Sequence, residues 1–139
     1  MTSSQHEPFL TERFDNALKF AHGVHRLQIR KDTLIPYVSH LISVAGLVLE
    51  SGGDEDLAIA GLLHDAVEDA EDISGEEMSD RIRAIFGDRV ADIVDGCSDA
   101  KSSPGESKPP WRSRKEAYLE HLRSASNDVL RVSIADKVH

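Results

Sequence analysis

Residues 54–69 read Asp54-Glu55-Asp56-Leu57-Ala58-Ile59-Ala60-Gly61-Leu62-Leu63-His64-Asp65-Ala66-Val67-Glu68-Asp69. Asp54 is a good N-cap, and Leu57, Ala58, Leu62, Leu63, Ala66 and Val67 recur at helical spacing. An apolar helix is therefore expected from Asp54 onward, with His64 and Glu68, and Asp65 and Asp69, each one turn apart. Four ionisable groups then crowd one end of an apolar element. Burying them unpaired is expensive, so solvent, a cation or basic side chains must satisfy them.

The flanking segments repeat the helical pattern. Thr11 can cap a helix carrying Phe14, Ala17, Leu18, Ala21 and Val24. Pro36 opens a second element, apolar almost all round from Tyr37 to Leu49, as expected of a helix at the centre of a bundle. Gly52-Gly53 stop it. Ser74 and Glu77 form a capping box for a helix with Met78, Ile82, Ile85 and Phe86, which Gly87 closes. A short helix with Val90, Ile93 and Val94 follows. Residues 98–112 read as a flexible loop, with three prolines, one glycine and four serines between Ser98 and Pro110. A helix is expected near Ser113 with Ala117, Leu119 and Leu122, and a last one restarting at Ser126 or Asn127 with Val129, Leu130, Ile134, Ala135 and Val138. Six or seven helices and no convincing strand make the expected fold all-α, a single orthogonal helical bundle. An αβ alternative would need residues 129–134 as a strand, which finds no partner.

Composition sets the outer limits. The chain has 139 residues, 16 Lys+Arg against 25 Asp+Glu, and a formal charge of −9. That length is one domain, large enough for a core without metal or disulfide staples. A hydrophobic fraction of 40% with 29% charged residues argues against a disordered chain. A single cysteine excludes an internal disulfide and a Cys-rich zinc site. The acidic balance argues against broad nucleic-acid or anionic-membrane binding. No signal peptide and no apolar run near 18 residues is present, so a cytoplasmic protein is expected. Oligomeric state stays open.

The chemistry rests on His64-Asp65 and on two further polar residues set in apolar helices, His40 and Asp136. Each alone has an ordinary reading, as a hydrogen-bonded core histidine or an aspartate paired with Lys137. Together they form a mixed imidazole–carboxylate set that suits Mn, Fe or Zn.

The order His, His-Asp, distant Asp resembles the signature of the HD superfamily of metal-dependent phosphohydrolases. Arg30-Lys31-Asp32 and Ile35-Pro36-Tyr37-Val38-Ser39-His40 resemble the segment before the first ligand in RelA/SpoT-type guanosine tetraphosphate (ppGpp) hydrolases. His64-Asp65-Ala66-Val67-Glu68-Asp69 resembles their HDxxED motif, Phe86 to Val90 the segment after it, and Ile134 to His139 their ADxxHN ending. Residues 110–122 are similar to small stand-alone bacterial members. The resemblance implies an HD-type bundle over residues 1–139. It also implies that the chain lacks the Asn after His139 and the helix or helices that follow.

It further implies metal ligands His40, His64, Asp65 and Asp136 with Mn2+ as the ion. Glu68 and Asp69 become the catalytic acidic pair that positions or activates water. Arg30 and Lys31 become substrate-binding residues, and the substrate a phosphorylated nucleotide hydrolysed at its 3′-pyrophosphate. The chain departs from the family at Leu41, where proline is common, and at Leu34-Ile35, where a glycine is common. Other HD substrates (NADPH, nucleoside monophosphates, cyclic nucleotides) remain alternatives, as does a non-catalytic nucleotide- or metal-binding module. A structural helical adaptor fits the buried polar set least.

Overall fold

The computed structural model describes residues 9–70, 72–98, 112–113, 116 and 126–139. Among them the helices are α1 (Glu12–Val24), α2 (Val38–Glu50), α3 (Glu55–Leu63), α4 (Gly75–Phe86), α5 (Asp88–Cys97) and α6 (Asn127–Val138). No strand occurs among the described residues; Ile29 and Pro36 form one isolated antiparallel bridge. The fold is all-α, and residues 129–134 lie within α6. The helix expected from Ser113 and the loop at 98–112 fall almost wholly outside the described residues.

Helix starts follow local chemistry. The side chains of Thr11, Asp54, Ser74 and Ser126 accept from the backbone N–H groups of Arg13, Leu57, Glu77 and Val129. Each satisfies a donor that has no partner inside its helix. Gly87 ends α4 and starts α5 at φ 100°, a left-handed conformation that glycine adopts without a Cβ clash.

The centre of the bundle is α3 rather than α2. Every residue from Leu57 to Leu63 is buried, and α3 packs against α1, α2, α5 and α6. The expected all-round burial of α2 fails at Ile42, which is 51% exposed; among the described residues α2 packs mainly against α1, α3 and α6. Gly61 lets α2 and α3 approach closely: a Cβ there would lie 3.3 Å from the Ala45 Cα. Leu41, Val44, Val48, Ile59, Leu62, Leu63, Ile82, Val90, Val94 and Val132 fill the core. Each larger one contributes roughly 1.5–3 kcal/mol through burial. The ends of α2, α3 and α6 are thereby fixed against one another.

The helix expected to run on through Ala66 and Val67 ends earlier. The helix stops at Leu63, and residues 64–69 continue as tight turns. Ala66 N–H donates to the Leu63 carbonyl at 2.9 Å, and Asp69 N–H to that of Asp65 at 2.8 Å. On an uninterrupted helix His64 and Asp65 would diverge by about 100°. The two side chains nevertheless meet, with His64 Nε2 3.1 Å from Asp65 Oδ2.

Candidate metal centre

Four ionisable side chains converge at that point. His40 comes from the first turn of α2, His64 and Asp65 from the end of α3, and Asp136 from the last turns of α6. Donor atoms of His40, His64 and Asp65 lie within 4.8 Å of one another. Asp136 Oδ1 is 2.9 Å from His40 Nε2 and 3.2 Å from His64 Nε2, while His64 Nε2 is 3.1 Å from Asp65 Oδ2. Both histidines are buried.

Hydrogen bonding outside the cluster sets which atoms face inward. His64 Nδ1 lies 2.7 Å from the Gly61 carbonyl, which can only accept, so Nδ1 carries the proton and Nε2 faces the carboxylates. His40 Nδ1 lies 3.0 Å from His139 Nδ1, which is also 3.2 Å from Arg30 Nη1. A guanidinium only donates, so His139 Nδ1 is the acceptor and His40 Nδ1 the donor. His40 Nε2 is thus the atom turned to Asp136. The Tyr37 hydroxyl donates to Asp65 Oδ2. Partners of this kind hold metal ligands in the required tautomer and orientation.

The electrostatics follow from this crowding. Desolvation lowers the His64 pKa, but hydrogen bonds and charge from Asp136 and Asp65 outweigh it and push it up to about 10. Burial acts to raise Asp136, yet His40, His64 and Lys137 hold its carboxyl well below the usual range. Asp65 is likewise lowered against its burial, through His64 and Tyr37. Burial, with Asp65 beside it, raises Tyr37 strongly and keeps it a donor. Two buried imidazole nitrogens and two half-buried carboxylate oxygens meeting there fit a divalent cation by donor chemistry.

The cluster opens onto a polar cavity of about 220 Å³ lined by Tyr37, His64, Asp65, Glu68, Cys97, Ser133, Asp136 and Lys137. A larger groove of about 620 Å³ is apolar, runs along α2 and α6 past Leu47, Leu130, Ile134 and Val138, and contains none of these ionisable groups. Glu68 faces the polar cavity. Asp69 is turned away from that lining toward α1: Gln28 Nε2 donates to Asp69 Oδ2 at 3.3 Å, and His25 Nδ1 lies 3.9 Å from the same oxygen. Arg30 reaches the cluster through His139, whereas Lys31 is exposed on the next turn. Tyr37, Gln28 and His25 were not singled out from sequence. The one available signal was spacing: Tyr37 stands three residues before His40, and His25 three before Gln28.

The profile of the HD domain family matches residues 17–139. The chain belongs to the HD domain family. It is 38% identical over 125 residues to a probable guanosine-3′,5′-bis(diphosphate) 3′-pyrophosphohydrolase of Synechocystis, covering 88% of this chain and 15% of that protein. It is 36% identical to the zebrafish (Danio rerio) guanosine-3′,5′-bis(diphosphate) 3′-pyrophosphohydrolase MESH1, covering 88% of this chain and 63% of that protein. The chain thus spans less than two thirds of the length of either relative. Among solved structures, a metazoan SpoT ortholog that hydrolyses ppGpp superposes with a TM-score of 0.76 at 29% identity, over 96% of this chain and 69% of that one. Among the described residues of this HD domain, no helix is long and apolar enough to cross a membrane.

Proposed function

We propose that this HD domain is a metal-dependent hydrolase that removes the 3′-pyrophosphate of ppGpp or a close relative. The observation that carries the reading is the meeting of His40, His64 and Asp65 donor atoms within 4.8 Å, beside a polar cavity that Glu68 also lines. The names of the similar proteins supply the substrate class.

In this reading His40, His64, Asp65 and Asp136 hold one divalent cation, Mn2+. Bound there, such an ion lowers the pKa of a water and neutralises phosphoryl oxygen charge. Glu68 faces the cavity and accepts the proton of the attacking water. Asp69, which accepts from Gln28, is the second acid of the pair. Water adds to the phosphorus attached to the 3′ oxygen, the P–O3′ bond breaks, and the 3′ oxygen leaves with a proton. The products are pyrophosphate and guanosine 5′-diphosphate. Arg30 and Lys31 offset the phosphate charges, and Lys137, 3.8 Å from Asp136 Oδ2, adds a third cation at the rim.

The test is a turnover screen with and without Mn2+ over ppGpp, NADPH, nucleoside monophosphates and cyclic nucleotides, with Glu68→Ala/Asp69→Ala as control. Mn2+-dependent release of pyrophosphate from ppGpp, lost in the control, is expected. Turnover that survives the control contradicts the assignment of the acids. Preference for another nucleotide contradicts the substrate.

A further inference from the structure

The turn 64–69 is braced from outside by one short segment, residues 28–37. The ends of this segment are tied together: Tyr37 N–H donates to the Gln28 carbonyl at 2.9 Å, and Arg30 N–H to that of Ile35 at 2.9 Å. Both side chains at the tied ends reach the acidic turn. Gln28 Nε2 donates to Asp69, and the Tyr37 hydroxyl donates to Asp65 Oδ2. The Tyr37 ring is clamped between two imidazoles, with centroids 5.1 Å from His25 and 5.6 Å from His40. His25 is itself buried and bonded through Nδ1 to Gln28 Oε1 at 2.8 Å. The phenol is therefore aimed by its backbone, by two ring contacts and by the hydrogen bond it makes.

A carboxylate with no fixed partner rotates among orientations. The phenolic hydroxyl donates to Oδ2, the same oxygen that lies 3.1 Å from His64 Nε2, and so holds the Asp65 carboxylate turned to the imidazole. We propose that Tyr37 is a positioning residue for the metal centre, acting through Asp65. The inference rests on the metal-centre reading above and goes beyond it by assigning a residue outside the ligand set. Partners of this kind are worth roughly 10–100-fold in metal affinity.

The experiment is calorimetric titration of the metal-free chain with MnCl2, which reads binding rather than turnover. Tyr37→Phe keeps the ring contacts and removes only the hydroxyl. It is expected to weaken Mn2+ binding by about 10–100-fold while the protein still unfolds cooperatively. A purely structural role would weaken binding equally whatever stands at position 65, so Tyr37→Phe is also made in an Asp65→Ala background. Little further loss there is expected. Wild-type affinity in Tyr37→Phe, or the same loss in both backgrounds, overturns the proposal. Should Tyr37→Phe fail to fold, 3-fluorotyrosine labelling replaces it. The Tyr37 fluorine signal is expected to shift in Asp65→Ala, and an unmoved signal overturns the proposal. Mn2+ binding without ppGpp hydrolysis would contradict the reaction and leave Tyr37 in place. No Mn2+ binding by the wild-type chain would overturn the metal centre and Tyr37 together.

Discussion

His40 Nε2 and Asp136 Oδ1, 96 residues apart in the chain, lie 2.9 Å apart. The contact ties the start of α2 to the end of α6 at the point where α3 stops. Both helices are held there by apolar packing against α3, so the donor set is presented by rigid elements.

A cation bound by the folded chain and not by the unfolded one would add to stability. Mn2+ at about 100 times its Kd is expected to add about 2.7 kcal/mol, raising Tm by roughly 10 °C. Chelation with EDTA reverses the rise. Asp136→Ala is expected to remove most of it, measured by differential scanning calorimetry. An unchanged Mn2+ response in Asp136→Ala would contradict the role given to that carboxylate.

Protons should compete with the cation at His64. Its pKa rises from 6.5 when unperturbed to about 10 in the fold. In the metal-free protein the pairing with Asp65 and Asp136 therefore contributes stability that is complete below about pH 6.5 and fades as the pH rises through about 10. The lowered Asp65 and Asp136 act in the opposite sense, their contribution being lost as the pH falls through the acid range. Near pH 7.5 His64 is protonated, and a cation at Nε2 must displace that proton. Calorimetry in buffers of different ionisation heat should record about one proton released per ion bound at this pH. No release would contradict the assignment of Nε2 as the ligating atom.

The two acids are placed differently. Glu68 lines the cavity while Asp69 accepts from Gln28. Gln28→Leu is expected to lower kcat by about tenfold, the size of one hydrogen bond to a charged group. KM and Mn2+ affinity should stay near wild type. Steady-state kinetics with a parallel metal titration checks the split, and an effect confined to KM would argue against it.

Much of this architecture was legible locally. The caps at Thr11, Asp54, Ser74 and Ser126 fall where side-chain chemistry places them, since a cap bond spans two or three residues. His40, His64, Asp65 and Asp136 stood out as polar residues in apolar surroundings. The stop of α3 at Leu63 was not legible, because Ala66 and Val67 continue the helical pattern in the sequence. The central position of α3 was hidden for a related reason: hydropathy does not count neighbours, and α2 is equally apolar in sequence. Tyr37 and Gln28 escaped notice because their partners lie 28 and 41 residues away.

Cys97 lines the cavity, yet it should be inert. Burial pushes its thiol up to about 12, with Asp136 and Asp65 adding to the rise and Ser133 partly opposing it. At pH 8 about one molecule in ten thousand then carries the reactive thiolate. Alkylation by iodoacetamide is expected to be slow in the folded chain and fast in denaturant. Rapid labelling of the native protein would contradict that burial.

The central claim is that one cation is held jointly by α2, the end of α3 and α6. Diffraction from MnCl2-soaked crystals, collected at the manganese absorption edge, tests it most directly. A single anomalous peak bonded to His40, His64, Asp65 and Asp136 is expected. A peak elsewhere, or none among these four side chains at saturating Mn2+, would contradict it.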